Sequence, residues 1–454
     1  MPLLAALVSG LLLFVSDHPV RSWWLQLVAF LPFWWALTVR RAAARSVWPL
    51  GLVLGFGNVV PLCIVAGVDP PILALGAVNV AQWSLAAPWA ARLLAAGPVR
   101  GPLGAAALLT LVEITIWYFV PLFGTAQCFA RPLSAAPALC AFVAFTGVGG
   151  LVFVLLATQA LVVQAMQRKI AAPASMTAAL VVVVGAANWH RWTRPLGPER
   201  LVATLGWGAD ADRFHTAPDQ FVAEAKARGA TLLVTPETGV TTGHVPRERT
   251  LGWLAGLAKT HSLALAVGVW HGATNDNRIW FFDAAGALHG EYAKTHLIPW
   301  LEDYVAGDGT LHHGDLAGTS LGGMICQDDN FTDLARGYGR AGTRLVAVPT
   351  NDWESIRGFH LENSVYRAIE NGYAIARAAS GGISALVSPR GEIVQQADHF
   401  AVGEGLLVGA LATGDGEPTF YARFGDLPLV LLCVLLIGSA LLRRAGMPAA
   451  THAR

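Results

Sequence analysis

The feature that most constrains this chain is a succession of apolar runs that fills its first 190 residues and returns near its end. A helix needs about 20 apolar residues to cross the hydrocarbon core of a bilayer. Runs of that kind fall near 2–16, 22–38, 47–66, 71–91, 102–122, 138–164 and 173–189, with one more at 427–442. The first is short, but it lacks the basic leader and small-residue cleavage site of a signal peptide, so it is expected to remain as a helix. Only 13% of the chain is charged, against about 25% in ordinary soluble domains. The charges concentrate between Arg191 and Arg423. The expected architecture is a membrane protein with eight transmembrane helices and one large α/β domain. Residues 1–190 form a seven-helix region, 191–424 the extramembrane domain, and 425–454 a last helix with its tail.

Orientation follows from Arg and Lys in the short loops, which stay on the cytoplasmic side. Arg40, Arg41, Arg45, Arg92, Arg100, Arg168, Lys169, Arg443 and Arg444 follow even-numbered spans, whereas the opposite loops hold only Arg21 and Arg131. Nine against two puts the α/β domain on the outer face. A net charge of +1 with no basic face argues against a nucleic-acid partner. Of five cysteines, Cys63, Cys128, Cys140 and Cys433 lie in or beside apolar runs. Only Cys326 lies in the α/β domain, which therefore has no internal disulfide.

Within that domain, short β-branched or apolar runs predict buried strands at Arg200–Leu205, Thr231–Thr235, Ala264–Val269, Ile279–Asp283, Gly322–Cys326, Arg344–Pro349, Ala374–Ala378 and Ser384–Ser388. Helical patterns fall at Asp219–Arg228, Arg249–His261 and Phe359–Asn371. Alternation of this kind suggests a layered α/β fold. Ser388-Pro389-Arg390-Gly391 predicts a hairpin turn.

Three elements carry chemistry. Glu237 follows the strand Thr231–Thr235 across Pro236, at a sheet edge where sites are commonly built. Lys294, one of four lysines in the chain, sits among apolar and aromatic residues in Tyr292–Trp300, where an ammonium must find a partner or lose its proton. Cys326 ends the strand Gly322–Cys326 and is followed by polar residues. That places the sulfur at an elbow where backbone N–H groups can stabilise a thiolate or an oxyanion. Taken singly, each is as compatible with a turn acid, a solvated lysine or a structural thiol.

Together, a strand-end Glu237, Lys294 before His296-Leu297-Ile298-Pro299, and a strand-end Cys326, in that order, resemble the nitrilase, or carbon–nitrogen hydrolase, superfamily. Val348-Pro349-Thr350-Asn351-Asp352-Trp353, Arg367–Gly372 and Arg377-Ala378 agree with the segments that follow its cysteine. Apolar spans before and after such a domain are similar to the apolipoprotein N-acyltransferase family. Leu31-Pro32, Gly55-Phe56-Gly57, Glu113, Gly124–Gln127, Gly147–Leu151 and Tyr421–Asp426 also match that pattern. The resemblance implies a nitrilase-like αββα sandwich with a Glu237, Lys294, Cys326 triad, needing neither metal nor organic cofactor. It implies a membrane phospholipid as acyl donor and a diacylated lipoprotein as acceptor, at the bacterial cytoplasmic (inner) membrane. Supporting roles fall to Glu302, which matches a second glutamate near the lysine, to Asn351, and to Trp353 on a loop over the site.

Two departures bear on the acceptor. The family has Tyr-Glu after the cysteine, where this chain has Gln327-Asp328. It also inserts a long apolar arm between lysine and cysteine, where this chain has a short polar stretch with His312-His313, expected to be a loop that binds no metal. Two activities therefore stay open. One is a phospholipid-dependent N-acyltransferase. The other is a membrane-tethered amidase in which water takes the acyl group from Cys326.

Overall fold

The computed structural model describes the chain apart from residues 18–21, 43–44, 66, 68–69, 121–123, 209–217, 244 and 446–454. Arg21 and the expected tail beyond 445 lie outside the described residues. The N-terminal helices are α1 (Pro2–Asp17), α2 (Leu31–Ala42), α3 (Trp48–Val65), α4 (Pro70–Leu93), α5 (Arg100–Phe119), α6 (Pro137–Cys140), α7 (Val143–Arg168) and α8 (Ala171–Trp192). Among the described residues, α3, α5, α7 and α8 are long and apolar enough to cross a membrane, while α1 and Leu427–Leu442 are apolar but shorter. α4 has the length but carries Asn79, Gln82 and Ser84 in its middle.

The expected span at 22–38 is broken instead. A 3-10 turn, Trp23–Leu27, precedes the 12-residue α2. Side chains from neighbouring helices satisfy the backbone at the break, as a low-dielectric setting demands. Gln159 Oε1 accepts from Phe30 N at 2.7 Å and Gln159 Nε2 donates to Gln26 O at 2.9 Å. Ser9 Oγ accepts from Phe33 N at 2.9 Å.

The α/β domain contains β1 (Glu199–Gly206), α9 (Pro218–Ala227), β2 (Leu232–Val234), β3 (Val240–Thr241), α10 (Arg247–His261), β4 (Ala264–His271), β5 (Asp276–Phe282) and β6 (Leu288–Ala293). It continues with β7 (His313–Leu316), β8 (Thr319–Gly323), α11 (Thr332–Arg340), β9 (Leu345–Asn351), α12 (Arg357–Asn371), β10 (Ala374–Ser380), β11 (Ile383–Val387), β12 (Ile393–Asp398), α13 (His399–Val402) and β13 (Gly405–Ala412). Two further helices follow, the short α14 (Phe420–Phe424) and the 19-residue α15 (Leu427–Ala445).

The strands form two sheets, ordered β13-β1-β2-β4-β5-β6 (with β3 on β4) and β12-β11-β10-β9-β8-β7. β1, β2 and β4 are parallel, as are β8, β9 and β10. The period-2 alternation of strands sorts their side chains to two faces. Leu232, Val234, Ala264, Ala266, Ile279 and Phe281 share one core with Leu321, Val346, Val348 and Ile375 of the second sheet. Their neighbours Leu233, Leu265, Val267, Trp280 and Phe282 pack on Val222 of α9 and Leu254 of α10. α11 and α12 cover the other sheet, giving an αββα sandwich. The hairpin turn at Ser388–Gly391 forms as expected, with Gly391 N donating to Ser388 O. The stretch between Lys294 and Cys326 is not only a loop, because His313–Leu316 pairs with β8 as an edge strand.

Helices and sandwich share one continuous apolar core through α12. Polar contacts pin it. Arg131, buried among the helices, ion-pairs with Asp17 and, at 2.9 Å, with Glu362 of α12. Tyr366 OH donates to Ala130 O at 2.8 Å. α7 breaks at Gly147, whose φ of 66° lies in the left-handed region. Glu370 then accepts from the restarted helix at Val148 N, 2.8 Å away. A Cβ on Gly147 would sit 2.3 Å from the Tyr421 ring. Gly147→Ala should therefore lower the unfolding midpoint in detergent by several degrees, from backbone strain plus overpacking of about 2 kcal/mol or more. Differential scanning fluorimetry checks this, and an unchanged midpoint would contradict it.

Candidate active site

Parallel strands direct their C-terminal ends to one side, and the sequence-predicted residues meet there. Glu237 follows β2, Lys294 follows β6, Cys326 follows β8 and Asn351 ends β9. The chain after β2 bends sharply over β4 at Pro236, where Gly268 leaves room. A Cβ there would lie 2.1 Å from Pro236 O. Cys326 has φ of +46°, a strained elbow for a residue with a Cβ.

Glu237, Lys294 and Cys326 are all buried. Lys294 Nζ lies 2.7 Å from Glu237 Oε1 and 2.5 Å from Glu302 Oε1. Burial works against the ammonium, but the carboxylates of Glu237 and Glu302 outweigh it and hold its pKa well above the usual lysine value. Burial raises the Glu302 carboxyl, opposed by Lys294. Glu302 is fixed by its own loop, accepting from Ile298 N at 2.9 Å.

Asn351 joins Glu237 and Cys326 through its backbone. Its N–H donates to Glu237 Oε2 at 2.9 Å, and its carbonyl accepts from Cys326 Sγ at 3.6 Å. Burial pushes the Cys326 thiol pKa well up, Glu237 adds to this, and Lys294 opposes it. Trp353, half-buried two residues beyond Asn351, opens the turn into α12.

Four further positions were not singled out for a role by sequence. Asn277 Nδ2 donates to Glu237 Oε1 at 2.7 Å. It belongs to β5, which starts three residues before the expected strand, so its place facing the site was hidden by that boundary. Asp328 accepts from Ile325 N (3.1 Å), Tyr292 OH (2.8 Å), and the backbone N–H groups of His296 (2.7 Å) and Thr295 (3.3 Å). It therefore ties the lysine segment to the cysteine elbow, and the Gln327-Asp328 departure keeps a working carboxylate.

His360 and Arg377 complete a buried ion network with Asp329 and Asp352. His360 Nδ1 lies 2.6 Å from Asp352 Oδ1, and its Nε2 lies 3.1 Å from Cys326 O and 3.0 Å from Asp329 Oδ1. Arg377 reaches Asp352 at 2.8 Å and Asp329 at 3.2 Å. Burial and Arg377 disfavour the His360 proton, but Asp329 and Asp352 outweigh them and raise its pKa to about 9. Two cations thus balance two anions, and the imidazolium donates to the carbonyl of the strained Cys326.

Cys326, Asp352 and His360 do bring potential ligand atoms within 4.8 Å of one another. Both ring nitrogens of His360 face acceptors, so the ring holds two protons and has no lone pair for a metal. The pair His312-His313 is likewise engaged elsewhere. His312 stacks on Phe281 at 4.2 Å, and His313 Nδ1 lies 2.8 Å from Thr343 Oγ1.

This fold and site define a class. The carbon–nitrogen hydrolase family profile matches residues 201–419, so the chain carries a carbon–nitrogen hydrolase domain. Beyond that domain the chain is similar to proteins named apolipoprotein N-acyltransferase. The one from Geobacter metallireducens is 30% identical over 223 residues, 43% of this chain and 42% of that protein. The one from Azotobacter vinelandii is 28% identical over 349 residues, 67% of this chain and 66% of that protein. The chain thus spans less than two thirds of the length of these curated relatives. An amidase from Nesterenkonia sp. is a similar solved structure, with 25% identity, a TM-score of 0.42, and coverage of 52% of this chain and 97% of that one.

The His360 network makes a pH prediction. Its proton is held more tightly folded (about 9) than in an ordinary histidine (6.5). The stabilisation is complete below about pH 6.5 and is lost as pH rises through about 9. His360→Gln should melt several degrees below wild type at pH 7, and the gap should close by about pH 10. A pH-independent gap would contradict the charged assignment.

Proposed function

We propose that the chain is a membrane-embedded N-acyltransferase. It moves a fatty acyl chain from a phospholipid through a Cys326 thioester to the α-amine of a diacylglyceryl-cysteine on a lipoprotein. The observation that carries this reading is the seating of the nucleophile elbow on the apolar helices. Thr125 Oγ1 donates to Asn330 O at 3.1 Å, and Tyr118 OH lies 3.3 Å from Thr332 Oγ1. A site that close to the bundle suits substrates dissolved in a bilayer. The loop bearing Glu302 also exposes Trp300, Leu301 and Val305, with Trp300 71% exposed, an apolar rim suited to lipid. The names of the relatives agree.

In the first half-reaction Glu237 takes the thiol proton, and Cys326 Sγ attacks the ester carbonyl. Lys294, with N–H groups at the start of the turn Cys326–Asn330, stabilises the tetrahedral oxyanion. The carbon–oxygen bond breaks, and the lysophospholipid alkoxide leaves with the proton from Glu237. In the second, the lipoprotein amine attacks the thioester and Glu237 accepts its proton. The carbon–sulfur bond then breaks, the amide forms, and the proton returns to the thiol. Glu302 holds Lys294 in place, Asn351 links base and nucleophile, and Trp353 borders the site.

The topology that goes with this chemistry has eight spans, seven within 1–190 and one within 425–454. The domain 191–424 lies on the outer face of the cytoplasmic membrane. The short polar stretch between Lys294 and Cys326 favours a second reading, a membrane-tethered amidase that uses the same triad with water as acceptor.

Incubation with phospholipid should leave a hydroxylamine-sensitive acyl group on Cys326, seen as a mass increment on its peptide. Cys326→Ala should abolish both the increment and turnover. A chain that never takes an acyl group from phospholipid would remove the acyltransferase reading, and persistence of an amidase activity would then favour the second.

A further inference from the structure

Where α8 runs into the α/β domain, a narrow recess is lined by Arg191, Arg194, Gly372, Pro389, Arg390 and Asp415. Asp415 is the single carboxylate in that lining, against three guanidinium groups. Two of the three have partners within the protein. Arg194 pairs with Asp415 at 3.3 Å. Arg390 donates to Arg194 O at 2.8 Å and lies over the Trp192 ring, with its Cζ 5.6 Å from the centroid.

Arg191 differs from both. α8 faces outward along most of its length and buries Pro173, Asn188 and Arg191. The burial of Asn188 has a structural reason, since its Oδ1 accepts from Phe142 N at 2.7 Å and its Nδ2 donates to Leu139 O at 2.9 Å. Arg191 is only 7% exposed, yet its Nε has no hydrogen-bond partner. Asp415 is near enough to attract it but is already bonded to Arg194. The C-terminal end of a helix favours a cation, but it supplies no acceptor to this Nε. A guanidinium buried in this way is costly, and an anion at the recess offsets that cost.

Position indicates which anion. α8 has 22 residues, about 33 Å at 1.5 Å per residue, enough to cross a hydrocarbon core of about 30 Å. The recess at its end therefore stands at the level of lipid phosphates on the side of the α/β domain. Exposed aromatic residues, which mark such a level, flank it. Trp189, two positions before Arg191, is 73% exposed. A Cβ on Gly372 would stand 2.9 Å from Arg191 Nη2 and 3.1 Å from Thr419 Cγ2, and Phe420, next in the chain, is also exposed. The thiol is remote from this place. Gly372 precedes β10, whose far end, Ser380, bonds to Asn351 at 3.0 Å. The seven residues of β10 put about 20 Å between the two ends at 3.3 Å per residue.

We infer that this recess seats the phosphodiester of an anionic phospholipid, in the leaflet on the side of the α/β domain and apart from the reacting site. The phosphate caps the recess, with its oxygens on the guanidinium edges, the contact for which arginine is suited. The surplus of guanidinium over carboxylate disfavours a headgroup that carries its own ammonium. The inference rests on the membrane reading of the helices but not on the reaction at Cys326.

Native mass spectrometry of the delipidated full-length protein in detergent tests it, with phosphatidylglycerol, phosphatidylcholine and inorganic phosphate as probes. Wild type should retain one phosphatidylglycerol that phosphatidylcholine does not replace and millimolar inorganic phosphate does not displace. Arg191→Gln/Arg390→Gln should bind that lipid about tenfold or more weakly. Arg390→Gln alone, in the turn Ser388–Gly391, should bind it about fivefold more weakly and serves if the double variant does not fold. Equal binding of the two lipids, unchanged binding by the variants, or displacement by inorganic phosphate would each overturn the inference. Cys326→Ala should bind the lipid as wild type does, so a failure of the acyltransferase reading leaves this result unchanged.

Discussion

The Lys294 ammonium, held between Glu237 and Glu302, is the interaction on which the rest of the site depends. A buried charge without partners is costly, and removing one partner of such a cluster leaves the others exposed to the full desolvation penalty. Glu237 therefore has a dual duty. One oxygen takes the ammonium and Asn277, and the other takes the N–H of Asn351. Because Asn351 ends a strand of the second sheet, that last bond joins the two halves of the sandwich at the reacting atoms. Its carbonyl then receives the thiol. An acid, a cation and a thiol from separate strands converge on the seam between the sheets.

Anchorage to the helices and positioning of Cys326 are the work of one element, α12. One set of its residues faces the apolar bundle: Glu362 meets Arg131, Tyr366 meets Ala130, and Glu370 caps the restarted α7. Another faces the site: His360 supports the carbonyl of Cys326, and Asn363 reaches Asn330 in the turn after it. An element with both duties explains why so many of its polar residues are buried. It also gives a physical reason for the close fit between bundle and domain, since any shift of α12 would move the thiol.

The sequence made much of this legible, and for identifiable reasons. Buried strands announce themselves as β-branched runs, so β1, β2, β4, β9, β10 and β11 stand close to where the runs fall. Glu237, Lys294, Glu302 and Cys326 were legible because each follows a strand or falls in a recognisable order. Asn277, Asp328 and His360 were not, because their roles come from partners 32 to 40 positions away or on another layer. The break at 22–38 was hidden because apolarity alone does not show that Ser9 and Gln159 will satisfy an interrupted backbone. The edge strand β7 was hidden by its polar composition, which an edge position tolerates.

The most direct test of the account is replacement of the resident apolipoprotein N-acyltransferase in a bacterium that requires one. Expression of this chain should restore growth and triacylated lipoproteins, and the Cys326→Ala form, present at the same level in the membrane, should restore neither. Membrane-inserted wild type that takes an acyl group onto Cys326 yet leaves lipoproteins diacylated would contradict the assignment of the acceptor.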